Sequence, residues 1–465
     1  MKVLRDRETG TSRGAGRRPR RKREAKKTTL KKFRRRIPLY LSLTAMGSVL
    51  AGLIFTGALS VQGASLTDAI KDRFAFSGYL QSTYRQSVHK ENPLAAIQRV
   101  ELETRFNQGS WIRGFASGYV DTDLSVTGRW HSREPVVTPE VGEAYLTIDT
   151  HYADLIVGMQ QIRWGEADAL STFDLINPID YRNPIATGRS TQRLSVGAAD
   201  LRVSLKGLGL LDLICVPFPR FSRLAEYGSP WEDKGLRELR HYVGEGLVGR
   251  KYDNGPFEPE FAGRLKFFQS GYDLAFMFFK GYEHKPLYTA DIDYQNMSAT
   301  IHETYKTFEA FGLSSAVSIL KSTLRTEFTL RHNYPFQSDD IDIERRNDYE
   351  AIIGWDRMFL TNLNVNLQTF FSSYDGKKVR GKDRERYGAT WSVSDKYQDD
   401  ALTAGVRGEY FANNDDACVE VFGEYEYDDH LRFTAGYMLF SGGKSNDLGQ
   451  YDKNDHFYFG VKYSF

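Results

Sequence analysis

The sequence predicts an all-β fold: a transmembrane antiparallel β-barrel of about eighteen strands, with sixteen as the other even count, preceded by a cleavable signal peptide. Three observations carry this. The segment from His456 to Phe465 alternates between an apolar, mostly aromatic face and a small or polar one. Comparable alternation recurs from Arg73 onward, often with charged residues on the polar face. The connections between these segments alternate between short and long.

Composition agrees. Aromatics make up 14% of the chain, with 27 Tyr and 30 Phe, and there are 41 Gly. Such usage suits β-structure and interfacial girdles better than helix bundles. The net charge of +2 hides two different objects. Residues 1–36 hold 17 Lys/Arg against 3 Asp/Glu, a net of +14, which leaves 45 basic and 57 acidic residues, a net of −12, in the rest. Behind that basic N-region, residues 37–64 carry no charge, run apolar from Ile37 to Leu59 and end in small residues at Gly63 and Ala64. This is the order of a secretory signal, with cleavage expected near Gly63 or Ala64. An uncleaved anchor and a nucleic-acid tail are the other readings of the two parts. Residues 65–465 form the expected barrel.

In the closing segment Phe457, Phe459, Val461, Tyr463 and Phe465 share one face, and Tyr458, Gly460, Lys462 and Ser464 the other. A strand has a side-chain period of two, so one side suits lipid and the other a wet lumen. Val100, Leu102, Thr104 and Phe106 likewise alternate with Arg99, Glu101, Glu103 and Arg105. Leu324, Thr326, Phe328 and Leu330 alternate with Arg325, Glu327, Thr329 and Arg331. A soluble core would not tolerate these charged faces, whereas an aqueous lumen would. Segments are expected to start near Arg73, Leu94, Ser110, Glu140, Tyr152, Gly197, Gly209, Glu260, Tyr272, Thr307, Thr323, Asn347, Asn362, Arg386, Ala401, Ala417, Leu431 and His456. Short turns such as Asn107-Gln108-Gly109 and Gln269-Ser270-Gly271 follow even segments. Long loops, including Asp123 to Pro139, Gly165 to Ser195, Arg220 to Pro259 and Pro335 to Arg346, follow most odd ones. Short periplasmic turns with long outer loops are the barrel pattern, which puts both termini in the periplasm of a Gram-negative cell.

The loop of about 165–195 is the most distinctive. Asn177-Pro178 and Asn183-Pro184 give it defined bends, and it carries Glu166, Asp168, Asp174, Asp180 and Arg182, with Arg163 just before it. We read it as an inward-folded constriction whose opposed acids and arginines set a transverse field, or as a packed structural loop held by ion pairs. The lumen lining is expected from Arg99, Glu101, Glu103, Arg105, Arg325, Glu327 and Arg331. The loop Arg220 to Pro259 is read as exposed and mobile, with lipopolysaccharide contact or folding over the mouth as alternatives.

The block Gly158 to Asp180 resembles the signature of a large family of Gram-negative outer-membrane proteins, numbered thirteen-oh-two among the domains of unknown function. Leu211 to Trp231, Ser322 to Phe336 and Ala401 to Phe465 match further blocks. The resemblance implies a porin-like barrel, often encoded beside exporters or lipid and hydrocarbon metabolism genes, with no catalytic set. The closing Tyr463 and Phe465 also resemble the signal read by the barrel-assembly machinery.

Enzymatic motifs are lacking: there is no HExxH, GxSxG or GxGxxG. Cys215 and Cys418 are the only cysteines and form no CxxC or Cys/His cluster, so neither metal nor cofactor is expected; they are read as lone strand cysteines, with a disulfide between them as the alternative. The expected function is passage of small or amphipathic molecules, passive or exporter-coupled, with a loop-plugged structural or receptor barrel as the alternative. The expected partners are outer-membrane lipid and lipopolysaccharide, the assembly machinery, an unidentified small solute and an exporter.

Overall fold

The computed structural model describes residues 73–465, except 91–92, 110, 126–135, 168, 183–191, 227, 245–248, 253–256, 296–297 and 445. The signal-peptide expectation, on residues 1–64, and Asp168 lie outside the described residues. The strands run β1 (Phe74–Ser87), β2 (Pro93–Gln108), β3 (Ile112–Asp123), β4 (Val136–Asp149), β5 (Ala153–Gln160), β6 (Val196–Ser204) and β7 (Gly209–Val216). There follow β8 (Gly249–Tyr252), β9 (Glu260–Gln269), β10 (Tyr272–Tyr282), β11 (Leu287–Asp293), β12 (Ser298–Thr304), β13 (Thr307–Ile319) and β14 (Ser322–Gln337). The last are β15 (Ile343–Phe359), β16 (Leu363–Tyr374), β17 (Glu385–Tyr397), β18 (Leu402–Phe411), β19 (Asp416–Glu426), β20 (Leu431–Ser441) and β21 (His456–Ser464).

Eighteen of these form one antiparallel sheet, and β21 pairs with β1 to close it. The remaining three, β8, β11 and β12, make a small separate sheet within the long loops. Every expected segment is a barrel strand. The largest offsets are four residues, Val136 against Glu140 and Ile343 against Asn347. One loop is shorter than expected: β14 and β15 pair as far as Gln337 and Ile343, so the Pro335 to Arg346 stretch is mostly ladder.

Closure follows from the alternation. One row across the outer wall reads Phe276, Leu313, Phe328, Ala351, Phe371 and Tyr387 in register, and its large members are exposed. In lipid such a row faces acyl chains, and a closed sheet leaves no edge to satisfy. Tyr349, Phe371, Tyr387 and Tyr410 mark this wall toward the long-loop end. The closing seam is tight. Gly78 and Phe465 exchange two backbone hydrogen bonds of 3.0 Å, and the Phe465 ring lies over the glycine. A Cβ on Gly78 would fall 2.9 Å from that ring and 2.5 Å from the Glu101 carbonyl oxygen.

Gly78→Val is therefore expected to cost about 1–3 kcal/mol through overpacking at the seam. Gly423→Ala, where a Cβ meets nothing within 4 Å, is expected to be near neutral. Chemical-unfolding midpoints in lipid vesicles check the pair; equal midpoints would remove the seam from the argument.

Candidate functional site

After Gln160 the chain does not turn back along the rim. It enters the barrel, and Asn177 ties the neck of the resulting loop. The Asn177 Oδ1 accepts the Ile162 N–H at 2.7 Å, while its Nδ2 donates to the carbonyls of Gln160 and Leu194 at 3.0 and 2.8 Å. Gln161 N–H donates to Glu143 at 2.8 Å. Beyond the neck, Ile162 and Trp164 are buried while Arg163 between them is exposed, so the first residues run extended with one face against the wall.

The loop leaves the fifth strand of the barrel and meets β14 and β16, on the far side. Two side chains there hold it. Glu327 Oε1 accepts N–H groups from Glu166 at 2.8 Å and Ala167 at 2.9 Å. Its Oε2 accepts the Thr172 N–H at 2.8 Å, the Ser171 hydroxyl at 2.8 Å and the Thr172 hydroxyl at 3.3 Å. Gln368 Oε1 accepts the N–H groups of Ala169 and Leu170 at 3.0 and 3.1 Å. Thr329 donates to the Thr172 hydroxyl at 2.8 Å, and Lys266 pairs with Glu166 at 2.5 Å. Two glycines make room. Gly165 has φ +106°, where a Cβ would meet Ser171 Oγ at 2.0 Å, and a Cβ on Gly312 would meet the Phe173 ring at 2.5 Å.

Under the loop the barrel interior is dry. Ile162, Trp164, Phe173 and Ile176 pack on inward-facing Val196, Ile214, Val216, Met277, Phe279 and Ala310. The other half of the interior is polar. Arg99 makes a bidentate pair with Asp121 at 2.7 and 2.8 Å and stacks 4.0 Å from the Tyr119 ring centroid. Glu101 accepts the Tyr79 hydroxyl, and Glu103 lies 3.7 Å from Arg105. Arg325 contacts Asp356, and Arg331 contacts Asp348 and Glu350, the latter at 2.6 Å.

The expected constriction residues divide. Asp174 sits 3.7 Å from Arg193, and Asp180 pairs with Arg182 at 2.5 Å. Asp180 also lies 4.0 Å from Arg223, which shares Glu140 with Arg220. Burial opposes the charge of Arg182, but the hydrogen bonds and charge of Asp180 raise its guanidinium above the ordinary value. The described loop acids Glu166, Asp174 and Asp180 are thus neutralised in place rather than arrayed against distant arginines. Among the described residues of the loop Arg163 is the exposed cation, with Gln161 at 3.4 Å as a hydrogen-bond partner. Glu327 differs from its expected role: it is 2% exposed and grips the loop instead of lining open water.

A second crossing runs against the exposed-loop reading of Arg220 to Pro259. Trp231 is buried against Phe440, Tyr451 and His456, on the opposite wall from β7. Asn454 Nδ2 donates to the Pro230 carbonyl at 2.7 Å, and Lys234 N–H donates to Gln450 at 2.9 Å. Burial pushes the Tyr451 phenol up to about 12, so it stays protonated and donates to the Trp231 carbonyl at 3.3 Å. Helix α1 (Lys234–Gly244) follows, its Arg237 and Arg240 pairing the buried Glu232. The signal was the Trp itself: a large aromatic in a charged loop needs a partner surface.

These features define a class: an eighteen-stranded outer-membrane-type barrel with long loops folded into its lumen. No protein-family model matches the chain, and no curated protein matches it by sequence. Among solved structures it is similar to Acinetobacter baumannii OccAB4, at 11% identity and a TM-score of 0.50 over 84% of this chain and 97% of that one. It is similar to Pseudomonas aeruginosa OccK8 (OprE), at 9% identity and 0.51 over 85% and 98%. It is also similar to Acinetobacter baumannii OccAB2, at 8% identity and 0.51 over 84% and 97%. These likenesses establish the fold.

Glu327→Ala is expected to release the loop tip. Hydrogen bonds to a charged acceptor contribute about 1.5–3 kcal/mol each and are not additive. Amide exchange of the segment 165–173 should therefore speed up by roughly ten- to a hundredfold. Unchanged protection of that segment, read by mass spectrometry, would mean that the dry packing alone holds the loop.

Proposed function

We propose that the chain is a porin-like channel of a Gram-negative outer membrane, passing small or amphipathic solutes along the polar half of its lumen. The long loops face outward and both termini lie in the periplasm. The observation that carries this is the loop fixed across the lumen by Glu327 and Gln368, which narrows the barrel with Glu166, Asp174 and Asp180 paired and Arg163 exposed. Eighteen strands enclose more than side chains alone fill. The paired wall residues Arg99, Glu101 and Asp121 offer hydrogen bonds to a passing solute at little cost in stray charge. On the same proposal the chain sits with the thirteen-oh-two family, is inserted by the barrel-assembly machinery through Tyr463 and Phe465, and takes its solute by diffusion or from an exporter.

A second reading, a plugged barrel with a structural or receptor role, is favoured by two observations: the dry cluster under the first loop and the second crossing at Trp231. Conductance separates the two. The refolded protein in a planar bilayer is expected to give stepwise single-channel currents. Arg163→Glu is expected to shift the permeability ratio severalfold toward cations, because the exposed charge reverses. Silence at every voltage and salt concentration would leave the plugged barrel.

A further inference from the structure

Away from the lumen, β15 carries an arginine on the face that meets lipid. Asp356 contacts the lumen residue Arg325, so Trp355, Arg357 and Phe359 project from the opposite side of the strand. Register gives the same side. Trp355 lies between Leu324 and Leu367, both exposed on the outer wall, and Arg357 lies between Ser322 and Val365. The guanidinium stacks on the Phe359 ring, 4.9 Å from its centroid, and the Trp355 and Phe359 rings are 6.1 Å apart. Arg357 is thus held against the outer wall between two aromatic residues of its own strand.

This cation has no counter-ion in the protein. Among the described residues no carboxylate pairs with Arg357, and its buried Nε has no hydrogen-bond partner. A lipid-facing cation is costly at the membrane midplane and tolerated near the interface, so its height matters. From Tyr349, at the long-loop girdle, to Arg357 the strand rises roughly 20 Å along the membrane normal once tilt is allowed for. The apolar band of such a barrel is about 25 Å tall, which puts Arg357 at its short-turn border.

The anion present at that border is a lipid phosphate, whose oxygens a guanidinium binds through paired N–H donors. Ser322, directly across from Arg357 on β14, adds a hydroxyl on the same face. We propose that Arg357 and Ser322, flanked by Trp355 and Phe359, bind the phosphate of an anionic glycerophospholipid in the periplasmic leaflet. The guanidinium and hydroxyl take the phosphate, and the two rings cover the glycerol and the upper acyl chain. A zwitterionic headgroup offsets its own phosphate with its amine, so phosphatidylglycerol is favoured over phosphatidylethanolamine. The inference rests on the reading that the short turns face the periplasm.

The test uses the full-length barrel in mixed micelles of the two phospholipids, retained lipid being counted by native mass spectrometry. Wild type is expected to retain phosphatidylglycerol in preference to phosphatidylethanolamine. Arg357→Gln is expected to bind phosphatidylglycerol about fivefold more weakly, the factor for loss of one interfacial cation. Arg357→Lys, which keeps the charge without the paired donors, should fall between the two. Lys396→Gln, at the same end of the barrel, should bind like wild type. Undiminished retention by Arg357→Gln overturns the proposal, as does equal retention of the two phospholipids by wild type. An epitope inserted in the turn after Gln269 reads the orientation separately on intact cells. A hidden epitope with undiminished retention by the variant sinks only this site; an epitope exposed at the cell surface sinks the periplasmic reading and, with it, the leaflet assigned here.

Discussion

A carboxylate sunk into a barrel wall is the constraint around which the interior is arranged. Glu327 is almost wholly removed from solvent, and an unpaired charge there would cost several kcal/mol. The loop from the fifth strand removes that cost by aiming the Glu166, Ala167 and Thr172 N–H groups and the Ser171 hydroxyl at its two oxygens. The same contacts satisfy loop backbone groups that would otherwise be buried without partners. Wall and loop thus specify each other. Gly312 makes the wall flat enough for Phe173, and Gly165 takes the left-handed turn that brings the N–H groups into line.

That arrangement splits the lumen into two environments. On the β6 to β13 side, loop and wall form a dry core resembling the centre of a soluble domain. On the β1 to β4 side, the wall keeps its ion pairs and aromatic rings, with Arg99 held between Asp121 and Tyr119. A solute therefore meets a lopsided passage, closed on one side by packing and lined on the other by groups able to exchange hydrogen bonds. The second crossing, seated through Trp231, adds a cover at the long-loop end.

Most of the fold was legible because lipid outside and water inside impose a period of two, which survives wherever only one face of a strand is dry. The closing strand and the charged rows at Arg99 and Arg325 are such places. The strands of the dry half were placed as closely, within one residue at their starts, but what covers their inner face was not legible. In β7, Leu213 faces out and Ile214 faces in, and in β10 Phe276 and Phe278 alternate with Met277 and Phe279. Both faces are covered there, so the alternation disappears into an apolar run. Those runs were the sequence trace of the docked loop, and they carry meaning only once the sheet is known to close. Glu327 was misjudged for a related reason. A charge on the polar face of a strand shows that the face is not lipid, but not whether water or a loop covers it. The second crossing had one clue, Trp231, outweighed in a sequence reading by the charges around it.

The crossing of the lumen is decided by whether loop and far wall touch in the membrane-embedded protein. The hydroxyls of Thr172 and Thr329 lie 2.8 Å apart, within reach of a disulfide once both are replaced. In a chain with Cys215→Ala and Cys418→Ala, the pair Thr172→Cys and Thr329→Cys should cross-link on mild oxidation in lipid vesicles, leaving no thiol to alkylate. Two thiols that remain free and alkylate independently would mean that the loop does not rest on β14, and the constricted lumen would have to be abandoned.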